Sequence, residues 1–171
     1  IRDAILLLTA LLKNILYAVN RLFLPPPEKV NTDNVNMDQL PHNISADIAA
    51  INEIAIVPVI LEVICRTTGM GFAAIARVTD EKWVACSVRD EIKFGLMPGG
   101  ELKLDTTICH EIRQSGNAVV IDHVADDEFY AKHHTPAMYG FQSYISVPIR
   151  LQDGQFFGTL CAIDPKPTLL N

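Results

Sequence analysis

The chain has 171 residues, of which 49% are apolar and 20% charged, and it carries a formal net charge of -6 with a pI near 5.3. That balance belongs to a globular chain rather than a disordered one. With no basic stripe to neutralise phosphates, it excludes a nucleic-acid surface.

Residues 1–24 are strongly apolar but interrupted by Arg2, Asp3, Lys13, Asn14, Asn20 and Arg21. The longest nearly apolar run, Ala4 to Leu12, is far shorter than the ~20 residues of a membrane-spanning helix, and no small-residue cleavage site follows it. An amphipathic helix is expected, one whose nearly continuous apolar surface needs a partner for dimerisation or packing. Residues 25–44 open with Pro25-Pro26-Pro27 and continue through Asn31, Asn34 and Asn36, the composition of a linker. Residues 45–171 hold the folded domain.

Within that domain Ser45 is expected to cap a helix carrying Ile48, Ile51 and Ile54 at helical spacing. Pro58 suits the first turn of a second helix through Ile60, Leu61, Ile64 and Cys65, closed by Gly69. Two strands follow, Phe72 to Val78 and Trp83 to Val88, joined by the turn Thr79 to Lys82. Trp83 reads as strand packing. Met97-Pro98-Gly99-Gly100 is a loop, and Thr106 or Thr107 caps a short helix through Ile108, Cys109 and Ile112. Ala118 to Ile121 is a strand, and 126–139 reads as a short helix plus loop. Gln142 to Ile149 alternates, with Ile145, Val147 and Ile149 on one face. Asp153-Gly154 then turns the chain into the strand Phe156 to Asp164. Strands joined by hairpins and one helical crossing predict an α+β fold, an antiparallel sheet with flanking helices.

These pieces in this order resemble a known family. Met97-Pro98-Gly99-Gly100-Glu101-Leu102, Thr106-Thr107-Ile108-Cys109, Gly116 to Asp122, Tyr139 to Ile149 and Phe157 to Asp164 are similar to segments of GAF domains, particularly those preceding the kinase core of bacterial sensor histidine kinases. The resemblance spans residues 45–165. It implies a profilin-like antiparallel sheet, a ligand pocket under the segment from Asp122 to Phe141, and homodimers formed through flanking helices. It further implies an attached output domain such as a histidine kinase core, within a two-component signal transduction protein. Family members continue into a helix after the last strand; here the chain stops at Leu170-Asn171, which reads as a fragment of a longer protein.

The candidate ligand-binding residues are Cys109, His123, Phe129, Tyr130, His133, Tyr139, Phe141, Ser143 and Tyr144. Concave sites are mostly apolar with a few polar groups, and this set supplies that mixture. Cys109, in the first turn of a helix, gains thiolate character from the helix dipole. Its neighbour His110 points about 100° away on that helix, so the two do not make a nucleophile pair, and Cys109 reads as a core thiol beside Ile108 and Ile112. No histidine spacing matches a metal site. The Asp126-Asp127-Glu128 run reads as a helix start favoured by the dipole. Cys65, Cys86, Cys109 and Cys161 show no CxxC pairing and read as reduced thiols of a cytoplasmic protein.

Two family chemistries are disfavoured by one gap. Bilin-binding GAF domains and GAF-fold methionine sulfoxide reductases both carry a cysteine shortly before the strand that begins at Ser143. Here that stretch reads Ala131-Lys132-His133-His134-Thr135-Pro136-Ala137-Met138. A reductase needs thiol exchange between cysteines, and Cys109 reads as a lone candidate. The expected function is a non-enzymatic sensory domain that binds an unidentified small molecule, with covalent bilin disfavoured and the cofactor unassigned. The alternatives are a thiol reductase using Cys109, a bilin photosensor, and a scaffold without a ligand, which a closed, side-chain-filled cavity would favour.

Overall fold

The computed structural model describes residues 43–151 and 153–169. The expected helix at 1–24 and most of the expected linker at 25–44 lie outside the described residues.

Helix α1 runs Ile44–Glu53 and α2 Val57–Thr68. Asn43, not Ser45, caps α1: its Oδ1 accepts from the Ala46 amide at 3.2 Å, satisfying one of the donors that a helix start leaves free. Ser45 lies one residue inside the helix. Pro58 sits in the first turn of α2, and Gly69 ends it at φ 74°, a left-handed conformation that glycine adopts without a Cβ clash.

Strands β1 (Phe72–Val78) and β2 (Trp83–Asp90) form the expected hairpin. A two-residue strand β3, Glu101–Leu102, pairs with Trp83 and Val84 where only a loop was expected. Helix α3 (Ile108–Ser115) crosses to β4 (Val119–Ile121). The segment 122–141 then folds as two 3-10 turns, Val124–Asp126 and Tyr130–Lys132, and helix α4 (His134–Tyr139). The acidic run acts through Asp127, whose Oδ1 accepts from the amides of Phe129 and Tyr130 at 2.9 and 2.8 Å. The hairpin of β5 (Ser143–Arg150) and β6 (Phe156–Asp164) completes the structure.

All strand pairs are antiparallel, and the sheet order is β3-β2-β1-β6-β5-β4. Its two faces carry separate cores because successive side chains point to opposite sides. Ile75, Ile145, Val147, Ile149 and Leu160 meet α1 and α2 through Ile51, Ile60, Leu61 and Ile64. Phe72, Ala74, Trp83, Tyr144, Cys161 and Ile163 face the other way, toward α3 and the 122–141 segment. A bulge in the β1–β2 register after Ile75 leaves Cys86 as the extra residue, and the Asn52 side chain donates to its carbonyl at 3.2 Å, pinning α1 to the sheet.

Beneath α1, Arg77 is almost fully covered and donates from Nε to Asp47 Oδ2 at 2.7 Å. Its guanidinium also donates to the Phe157 carbonyl and lies 4.9 Å from the Phe157 ring centroid. Among the described residues no single helix is long and apolar enough to cross a membrane.

Candidate functional site

On the face opposite α1 and α2, the sheet, α3 and α4 enclose a cavity of about 40 Å³. Phe72, Trp83, Tyr144, Cys161 and Ile163 form its floor, Ile108 and Cys109 one wall, and Phe94, Tyr139 and Phe141 the aromatic side. Phe94 bridges Phe72 and Tyr139, with ring centroids at 5.0 and 6.2 Å. That volume takes a molecule of very few heavy atoms, since one water needs about 10–15 Å³.

The roof is tied down by polar contacts at both ends. Thr135 Oγ1 donates to the Thr106 carbonyl at 2.7 Å, and Thr106 Oγ1 donates to the Lys103 carbonyl at 2.6 Å. A hydroxyl has one proton, so Tyr139 OH is the donor in its 2.5 Å contact with Thr106 Oγ1. His133 caps α4 by accepting from the Thr135 amide at Nδ1, 3.2 Å. The proton of the neutral ring therefore sits on Nε2, which faces Glu111 Oε1 on α3 at 2.8 Å.

The chemistry gathers at Cys109, only 4% exposed. Thr159 Oγ1 donates to its sulfur at 3.2 Å, Tyr144 OH lies at 3.4 Å, and Ser146 Oγ at 4.0 Å. Cys161, across the register from Ser146, bears on the same sulfur while its thiol leans toward the Ala74 carbonyl at 3.7 Å. Hydrogen bonding from Cys161, with Thr159 and Tyr144 behind it, outweighs burial and lowers the Cys109 pKa to about 6. The same contact and burial push Cys161 well above the usual thiol range. Burial, reinforced by the charge of Cys109, raises Tyr144 well above the phenol range, so it stays a proton donor. By contrast burial raises Cys65 to about 11 and Cys86 to about 12.

Trp83 lines this cavity, and its Nε1 is buried without a hydrogen-bond partner. A buried donor without a partner costs about 1–3 kcal/mol, so an acceptor placed in the cavity would recover it. Trp83 thus does more than pack a strand.

The cavity gathers Cys109, Tyr139, Phe141 and Tyr144 of the nine candidate residues. His133 stands behind its roof, and Tyr130 packs beside His133 with ring centroids 5.8 Å apart. Burial, with the charge of Glu111 next, raises the Tyr130 pKa to about 12. Phe129 is 63% exposed outside, and His123 turns its Nδ1 to Asp126 at 2.8 Å. Ser143 is on the other face. Its Oγ donates to the Lys166 carbonyl at 2.9 Å, because it shares the parity of Ile145, Val147 and Ile149. The missed residues are Trp83, Thr159 and Cys161; the alternation of β6 put the last two on one face, but nothing local placed that face under Cys109. His110 Nε2 contacts Gln114 at 3.0 Å, in keeping with its expected turn away from Cys109. One smaller expectation changes: Thr107 holds the N-cap position of α3 with its hydroxyl donated to the Leu104 carbonyl instead.

The model of the GAF domain family matches residues 52–170, well over half of the chain. The chain belongs to the GAF domain family. No curated protein matches it. Among solved structures, the GAF domain region of a protein from Geobacter sulfurreducens is similar at 15% identity and a TM-score of 0.52, covering 75% of this chain and 83% of that one. Free methionine-R-sulfoxide reductase from Neisseria meningitidis, in complex with its substrate, is similar at 15% identity and a TM-score of 0.51, covering 75% of this chain and 74% of that one. At these identities the likeness is one of fold, and it matches the GAF sheet and helices seen here.

Proposed function

We propose that this GAF domain is a sensory input module, which binds a small ligand in the cavity beneath α4 and performs no chemistry on it. The observation that carries this reading is the unpartnered N–H of Trp83, a residue that lines an otherwise apolar, aromatic-walled cavity. The ligand is small and mostly apolar, with one acceptor for the indole. Binding would shift the roof helix α4 and, through the His133–Glu111 contact, helix α3. In a cytoplasmic homodimer such a shift reaches an attached output domain, of which a histidine kinase core is the version this reading favours.

Trp83 is the one tryptophan of the chain, so its fluorescence reports on this cavity directly. Freshly purified protein is examined by native mass spectrometry for a copurifying molecule, then titrated with acceptor-bearing molecules of about two to four heavy atoms, such as acetonitrile and acetone, while indole emission is followed. Saturable emission change, lost in Tyr139→Ala, supports ligand sensing. Absence of both a copurifying species and any saturable change favours the scaffold reading, and turnover of free methionine sulfoxide would replace both with a reductase.

A further inference from the structure

The sequence treats Cys109 as a lone thiol, and the fold gives it a partner. Helix α3 is laid across β6 so that Cys109 meets the face carrying Thr159 and Cys161. Both cysteines line the same cavity, at 4% and 6% exposure, among hydroxyl donors from Thr159, Tyr144 and Ser146. Trp83 lines this space as well, and its buried N–H has no partner. The cavity volume of about 40 Å³ suits a reactant of two heavy atoms. Cys65 and Cys86 lie in the other core, under α1 and α2, on the far side of the sheet from this cavity.

We propose that Cys109 and Cys161 form a redox pair, oxidised by hydrogen peroxide entering this cavity to a disulfide that ties α3 to β6. Cys109 is the attacking sulfur because donors surround it, and an ionised thiolate is the reactive form. Its sulfur attacks one peroxide oxygen, the O–O bond breaks, and the departing oxygen leaves as water carrying the former thiol proton. Tyr144, which lines the cavity with its hydroxyl 3.4 Å from the Cys109 sulfur, stands ready to donate a hydrogen bond to that departing oxygen. The Cys109 sulfenic acid then meets the Cys161 sulfur: the S–S bond forms, the S–O bond breaks, and the hydroxyl departs with the Cys161 proton as a second water. Two thiols lose two electrons to one peroxide. The step needs no bound ligand, so it stands or falls apart from the ligand-sensing reading.

The full chain is treated with hydrogen peroxide at neutral pH, quenched by alkylation, digested without reductant and mapped by mass spectrometry. The expected product is one intramolecular disulfide joining the Cys109 and Cys161 peptides, formed on the order of tenfold faster than any loss of Cys65 or Cys86 thiol. In Cys161→Ser the reaction is expected to stop at a Cys109 sulfenic acid trapped by dimedone. Cys109→Ser is expected to leave Cys161 reduced. If either variant fails to fold, the cross-linked peptide from the unsubstituted chain decides alone. Loss of all four thiols at similar rates, a disulfide with another pairing, or one that links two chains would overturn the proposal.

Discussion

Thr159 on β6 donates its hydroxyl to the sulfur of Cys109 on α3 at 3.2 Å, fifty residues away in sequence. This contact joins a helix to the strand beneath it and fixes which face of α3 meets the cavity. A hydroxyl donor to a buried sulfur favours the ionised over the neutral thiol. It is therefore a test of the whole cluster.

Thr159→Val keeps the shape and removes that donor. The Cys109 pKa is expected to rise from about 6, with Cys161 and Tyr144 still holding it below an ordinary thiol. The check is the pH profile of iodoacetamide labelling at Cys109, read peptide by peptide. The profile moves to higher pH in the variant; an unmoved profile means Thr159 has no part in it.

Stability is expected to fall at alkaline pH. Burial raises Cys65 to about 11 and Cys86 to about 12, while the unfolded thiol titrates near 8.5. A folded pKa above the unfolded one means the unfolded chain loses its protons first. The stability from these thiols is complete below about pH 8.5 and is lost as pH rises toward 11 and 12. Thermal midpoints across this range should decline, and a Cys65→Ala, Cys86→Ala double variant should decline less steeply.

Asp47→Ala is expected to cost about 3 kcal/mol in urea unfolding, because it takes the carboxylate from a nearly covered Arg77. Asp47→Asn, which retains an acceptor oxygen, should lose less. Equal losses would show that the pair acts only by filling space.

Gly158→Ala is expected to destabilise by about 1–3 kcal/mol, because a Cβ there would sit 1.9 Å from the Ala76 carbonyl oxygen across the β1–β6 ladder. Strand separation is the only relief. A variant with unchanged denaturation midpoint would contradict that contact.

Much of this protein was legible without a structure. The two-residue alternation of β5, the glycines after α2 and α3, and the Asp153-Gly154 turn are local signals, and each produced the element it predicts. The ordered set of these segments also carried the family, later matched over residues 52–170. Asn43 and Ser45 compete as caps for one helix start, so composition alone pointed two residues too late. Ser143 was misplaced although its parity with Ile145 already assigned it to the α1–α2 face. The candidate site depended on more than periodicity. That Cys109 lies over Thr159 and Cys161 follows from where α3 crosses the sheet, a long-range packing choice that no neighbouring residue encodes. The size of the cavity and the unpaired Trp83 N–H follow from the same docking of α3 and α4. The sequence by itself therefore determined the elements and the family, through local backbone and alternation rules. Only the tertiary structure decided that two of the four scattered thiols, Cys109 and Cys161, line one cavity, because side chains on separate elements meet only when the cores close.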